Sequence, residues 1–146
     1  PAHFLGHASV SNSVISLGCE IRGNVTNSVL FPGVRVGTGA TVRDSVVMND
    51  CEIDEGALVD RCILDKLVVV GRGARIGNAE GGSGRNRRSP TSLFGGLTVI
   101  GKESRIPPGI SVGANVIVEP GLAASDFGSG PISDGETVGA RTARPG

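Results

Sequence analysis

SVISLGCEI (residues 13–21), SVLFPGVRV (28–36), SVVMNDCEI (45–53) and CILDKLVVV (62–70) are four variants of one unit. Their starts lie 15, 17 and 17 residues apart. Within each unit short β-type runs alternate with Gly, Asn and Asp turn residues, a spacing that leaves no room for a helix between strands. A finer period of about six runs beneath this one. Val36-Gly37, Val42, Ile53, Val59, Val70-Gly71 and Ile76-Gly77 take equivalent places, and Ile100-Gly101, Ile106, Val112-Gly113 and Val118 continue the series. Four residues after them come Ala40, Val46, Ala57, Ile63, Ala74, Ser104, Ile110, Val116 and Leu122, mostly small or branched. Three such periods make a coil of about 18 residues, and successive coils stack at a strand spacing of roughly 4.8 Å. The expected fold is therefore all-β, a parallel β-helix. An antiparallel sandwich of short strands does not account for a period held over four turns.

The composition suits a narrow solenoid. The 146 residues include 24 Gly and eight Pro but four Phe and no Trp or Tyr, so small branched side chains must fill the interior. With 14 Lys+Arg against 14 Asp+Glu the net charge is zero, which removes the broad electrostatic attraction behind nucleic-acid or anionic-membrane binding. An anion site, if there is one, must be local. The longest apolar run, Leu67 to Val70, is far shorter than the roughly 20 residues of a spanning helix. Cys19, Cys51 and Cys62 sit in apolar runs without CxxC or Cys/His spacing and are expected as buried free thiols in a reducing cytoplasm. The chain opens on Pro rather than Met and carries no targeting signal, which leads us to expect a segment of a longer chain.

The expected organisation has five parts. Residues 1–12 are an opening segment, 13–77 the first coils, 78–96 a loop excursion, 97–138 the last coils and 139–146 a frayed tail. The excursion, NAEGGSGRNRRSPTSLFGG, carries no period. Its GGSGRNRRSPT part (81–91) has the composition of a phosphate-cradling loop but lacks the preceding strand and following helix that such a loop needs, so a mobile surface loop is expected.

Catalytic groups are scarce. His3 and His7 are the only histidines and precede the first recognised unit, which leaves neither the base of an acyltransferase nor a histidine metal site in the coils. Asp44, Asp50, Asp54, Glu55, Asp60 and Asp65 fall at turns, where short acids cap backbone amides. The chain reads as non-catalytic, with no metal ligands of its own.

The ordered blocks resemble the C-terminal domain of glucose-1-phosphate adenylyltransferases (ADP-glucose pyrophosphorylases). PAHF (1–4) is similar to the opening of that domain, Asn12 to Ile21 and Ser28 to Val36 to its first repeats, and Ile63 to Gly77 to its I-x-D-K block with the following V-x-x-G-x-x-IG. LTVIGKESRIPPGISVGANV (97–116) and ISDGETV (132–138) are similar to its later blocks. The resemblance implies a left-handed, hexapeptide-repeat helix, a handedness that general rules for parallel crossovers do not supply. It further implies a separate N-terminal, Rossmann-like catalytic domain that joins ATP and glucose 1-phosphate, with magnesium expected there, and a homo- or heterotetramer regulated by a phosphorylated effector.

The family's effector lysines match Lys66 and Lys102, the only lysines in the chain. Counting faces puts them at one corner of adjacent coils, where two ammonium groups suit a phosphate, with Arg75, Arg85, Arg87 and Arg88 as further candidates. Two other readings stay open: the β-helix of another sugar-nucleotide pyrophosphorylase, or a free-standing scaffold. The sequence upstream of Pro1 separates them.

Overall fold

A computed structural model describes residues 1–77 and 84–139. Strands of two or three residues form three parallel sheets of six, six and seven strands, and the chain visits the three in turn, so each circuit is one coil of a solenoid. Face 1 holds His3–Phe4, Glu20–Ile21, Arg35–Val36, Glu52–Ile53, Val69–Val70 and Arg105–Ile106. Face 2 holds Ser9–Ser11, Asn24–Thr26, Thr41–Arg43, Leu58–Asp60, Arg75–Ile76 and Ser111–Val112. Face 3 holds Val14–Ile15, Val29–Leu30, Val46–Val47, Cys62–Leu64, Thr98–Ile100, Ile117–Val118 and Thr137–Val138. Seven strands at the usual spacing make a rod about 30 Å long.

Sharp corners make this winding possible, and they recur in register. Between faces 2 and 3 the left-handed conformation falls on Asn12, Asn27, Asp44 and Arg61; between faces 3 and 1 on Gly18, Gly33, Asp50, Leu67, Glu103 and Gly121. Gly, Asn and Asp take this conformation most readily, which is why they punctuate the repeats. At the first of these corners the bending backbone is held by a serine row. Ser28 N–H donates to Ser13 Oγ, Ser45 N–H to Ser28 Oγ and Cys62 N–H to Ser45 Oγ, so donors turned out of the strand ladders still find partners.

The interior is a stack of rows. Cys19, Val34, Cys51 and Val68 form one, linked through the bonds from Glu20 N–H to Val34 O, Arg35 N–H to Cys51 O and Glu52 N–H to Val68 O, and all four are fully buried. Ile21, Val36, Ile53, Val70 and Ile106 form another. The C-terminal end is plugged by Phe127, on a short 3-10 helix (Ala124–Phe127) packed on the Arg105–Ile106 strand. The N-terminal end is open: Phe4 lies in register with buried Ile21 yet is 55% exposed.

Three features differ from the sequence reading. Residues 1–12 are no mere lead-in, because His3–Phe4 and Ser9–Ser11 pair with the next coil and complete a first circuit. Val46 and Ile63 point outward while Val47 and Leu64 are buried; a 17-residue coil has one corner a residue shorter than a strict period of six allows. The second coil is shorter still, 15 residues, and tightens at Gly23, where a Cβ would collide with the carbonyl oxygens of Ala40 and Gly37. Finally, residues 84–96 of the excursion are tied to the solenoid by buried Asn86 and Leu93, where a mobile loop was expected. The expectation for 78–83, and for the tail from 140 onward, lies outside the described residues.

Candidate functional site

Outward-facing residues distinguish the three faces. Face 1 shows His3, Glu20, Arg35, Glu52, Val69 and Arg105, with Arg35 between the carboxylates of Glu20 and Glu52. Face 2 shows mostly Ser, Asn, Thr and Arg. Face 3 shows Val14, Val29, Val46, Ile63, Val99 and Ile117 in one unbroken register. Phe31 and Met48 stand at its edge towards the corner with face 1. An aliphatic row along six coils is far more than a soluble surface carries by chance, and such patches mark contacts with other protein surfaces. The sequence carried the signal, a β-branched residue after each Ser13, Ser28, Ser45, Cys62 and Thr98; the strict period of six hid which way it points.

The corner between faces 3 and 1 holds the predicted cations. Lys66 follows the strand Cys62–Leu64, Lys102 follows Thr98–Ile100, and these strands pair with Leu64 opposite Ile100. Glu103 N–H donates to Lys66 O at 2.9 Å, and Gly121 N–H to Lys102 O at 2.8 Å, so the lysines occupy the same corner on adjacent rungs. Asp65 Oδ1 accepts Lys66 N–H at 2.7 Å and fixes the turn. Leu17, Pro32, Asn49 and Pro120 take the same place in the other coils, so at this register position only the two lysines are charged, with Asp65 just before the first and Glu103 just after the second. Both side chains are exposed. Their backbones are one strand spacing apart, about 5 Å, close enough for both ammonium groups to engage one phosphate.

The other candidates separate. Arg75 lies on face 2, between Leu58 and Ser111 in register, so it cannot assist at the corner between faces 3 and 1. Arg85 stacks over the Phe94 ring, 5.6 Å from its centroid. Arg87 is exposed and its N–H donates to Gly135 O. Arg88 reaches Glu119, Nη1 to Oε1 at 3.5 Å. Glu119 is in the coil after Lys102, and Arg88 and Glu119 share a shallow recess with Ile117 and Thr137 of face 3.

Elsewhere the chemistry is structural. Among the described residues no three His, Cys, Asp or Glu side chains converge as a metal site. His3 sits on the outer row of face 1 and His7 at the following corner, both exposed and in the first coil rather than ahead of it. Asp60 is no turn cap as supposed from its position: it ends a face-2 strand, is buried, and its carboxylate meets the Arg43 guanidinium, Nε to Oδ1 at 3.4 Å. All three cysteines are buried and free. Burial pushes the Cys51 thiol up to about 11 and the Cys62 thiol further still, which keeps both neutral.

The GlmU-like, C-terminal hexapeptide family matches residues 1–92. The chain belongs to that family. Beyond the GlmU-like match, the chain is similar to glucose-1-phosphate adenylyltransferases of Acetivibrio thermocellus (40% identical) and Thermomicrobium roseum (44%), over 94% of its length in both cases. The alignments fall in the C-terminal region of those proteins and span 32% of each, so the chain is about a third as long as these relatives. Among solved structures, the acetyltransferase domain of PglB from Neisseria gonorrhoeae overlays 99% of the chain and 57% of that chain with a TM-score of 0.53. Its acetyl coenzyme A complex overlays 94% of the chain and 53% of that chain with a TM-score of 0.52. Both are 19% identical to this chain and speak to its fold alone.

Proposed function

We propose that the chain is the regulatory and assembly domain of a glucose-1-phosphate adenylyltransferase, which forms ADP-glucose and pyrophosphate from ATP and glucose 1-phosphate. The observation that carries this is the 40% and 44% identity to enzymes of that name across 94% of the chain. Nucleotide transfer itself belongs to a separate catalytic domain. Magnesium is expected with that reaction, in the catalytic domain.

Two surfaces have work to do in this reading. Face 3 offers its aliphatic row to the catalytic domain or to a neighbouring subunit of a tetramer, because burying that row removes apolar surface from water. The corner offers Lys66 and Lys102 to a phosphorylated effector in the cytoplasm. In the full-length protein, Lys66→Ala or Lys102→Ala should raise the effector concentration for half-maximal response about tenfold or more while leaving the unstimulated rate within twofold. An effector response unchanged in the double variant overturns the assignment of the corner.

The GlmU-like family match supports a second reading, the β-helix of another sugar-nucleotide pyrophosphorylase. Assaying the full-length protein with ATP and UTP against glucose 1-phosphate and N-acetylglucosamine 1-phosphate separates the two.

A further inference from the structure

The corner between faces 1 and 2 is cut short in one coil. Five positions lead from Phe4 to Ser9, from Val36 to Thr41, from Ile53 to Leu58 and from Val70 to Arg75, but three lead from Ile21 to Asn24. In the regular coils each corner peptide stacks on the one before. Gly56 N–H donates to Thr38 O at 3.1 Å, Gly73 N–H to Glu55 O at 3.0 Å and Gly109 N–H to Arg72 O at 2.9 Å. The second coil has no such peptide. Among the described residues, the Gly6 carbonyl on one side of the gap therefore lacks a donor, and Gly39 N–H on the other side lacks an acceptor.

The gap is one peptide high. The peptides Gly6–His7 and Thr38–Gly39 stand two rungs apart, about 10 Å at the usual spacing. Both line a recess of about 400 Å³. Gly23 lines it too, but a Cβ there would run into the carbonyls of Ala40 and Gly37, so no side chain at 23 fills the space. His7, Arg22 and Asn24 add polar groups, and no acid lines the recess. Arg22 is exposed and forms no ion pair among the described residues. The acids on its other flank are engaged: Glu55 Oε2 meets Arg72 Nη2 at 2.8 Å, and Asp54 Oδ1 accepts Glu55 N–H at 2.7 Å.

We propose that this notch binds an N-acylated amino acid, the group that also ends a peptide chain. Its amide takes the place of the missing peptide: the C=O accepts Gly39 N–H and the N–H donates to Gly6 O, as each corner peptide does for its neighbours. Its carboxylate meets the Arg22 guanidinium in a charge-assisted contact. A simple carboxylate satisfies the cation but has no N–H for Gly6 O, so the notch selects for the amide. Gly6 and Gly39 are exposed and reach water when the notch is empty, so each hydrogen bond to the ligand adds only modestly and binding is weak.

The test is a ligand-observed NMR titration of the full-length protein with N-acetylglycine. O-acetylglycolate, which replaces the amide N–H by an ester oxygen, should bind about tenfold more weakly, and acetate more weakly again. Arg22→Gln should weaken N-acetylglycine about tenfold while leaving uncharged N-acetylglycinamide within twofold. Inserting Thr-Gly between Arg22 and Gly23 restores the regular corner, supplies the missing peptide from the chain itself and should abolish binding. Thermal melts of that variant show whether the coil accepts the longer corner, and Arg22→Gln tests the site if it does not. N-acetyltriglycine distinguishes the sources: affinity equal to that of N-acetylglycine assigns the notch to peptide ends, and weaker binding assigns it to the free small ligand. Lys66→Ala and Lys102→Ala should change none of these titrations, because the lysines lie at another corner. Equal affinity for ester and amide, or unchanged binding in both the insertion variant and Arg22→Gln, refutes the proposal.

Discussion

Replacing Asn86 by Ala removes the group on which the order of the excursion depends. The substitution deletes Nδ2 contacts to Asn115 O, Glu136 O and Thr137 Oγ1, together with the Oδ1 acceptor for Arg88 and Ser89 N–H. A neutral hydrogen bond contributes about 0.5–1.5 kcal/mol net, and a buried group left without a partner costs about 1–3 kcal/mol. Arg88 is exposed and its N–H regains water, whereas Asn115 is fully buried and its carbonyl does not. Counting mainly the buried losses gives roughly 2–4 kcal/mol. That energy is local, because the coils keep their own ladders and the excursion opens as a separate unit. Hydrogen exchange read by mass spectrometry should show protection in 84–96 falling on the order of 100-fold, at about 1.4 kcal/mol per factor of ten. Peptides from the first four coils should exchange as before. Unchanged protection in 84–96, or an equal loss through every coil, refutes the view of Asn86 as a local anchor.

Other outcomes follow from the same geometry. Ile63→Asp, on the outer row of face 3, should leave the melting temperature of the coils nearly unchanged but dissociate the full-length assembly in sedimentation velocity; an intact assembly removes face 3 as the docking surface. Gly23→Ala should cost several kcal/mol by thermal denaturation, since the added Cβ meets two carbonyl oxygens and the 15-residue coil has no slack, and a melt like the parent's would show the turn relaxes. The Cys51 thiol, raised from 9.0 to about 11 by burial, stays protonated in the fold where the unfolded chain has already ionised. Its contribution is therefore intact below about pH 9 and is lost as pH rises from 9 towards 11, so the urea midpoint should fall over that window and fall less in Cys51→Ala.

Much of the fold was legible because a solenoid repeats its constraints. Gly18, Gly33 and Asp50 mark one corner three times over, and Ser13, Ser28 and Ser45 another, so each coil corroborates the next. The juxtaposition of Lys66 and Lys102 followed from the same counting, since Leu64 and Ile100 hold the register on either side of the loop. What the repeat did not reveal is whatever departs from it. Val46 and Val47 are both Val, and only the length of the preceding corner decides which is buried. Asn86 and Asn115 lie 29 residues apart, in segments whose composition favours loops, and their pairing is set by tertiary contact alone. Asp60 had the look of a turn acid for the same reason, since its partner Arg43 is one coil away.

A solenoid of this kind resists a change of shape. Each coil touches only its neighbours, the interior rows are fully buried, and the corners are fixed by left-handed residues and backbone hydrogen bonds. A phosphate at Lys66 and Lys102 therefore has little within the coils to rearrange. It can act on what lies beside the corner, and the corner borders the apolar face: Ile63 is on the outer row, and Lys66 follows three residues later at its edge. A body docked on face 3 would meet the two lysines at its rim, and an anion bound there would change the charge that it meets. Regulation in the proposed enzyme then reduces to a difference in how well the two surfaces fit with and without the anion, and binding must be reciprocal: docking strengthens effector affinity by the same factor that the effector strengthens docking. The isolated chain should accordingly bind inorganic phosphate more weakly than the full-length protein does. Equal affinity in the two would sever the link between the corner and the face.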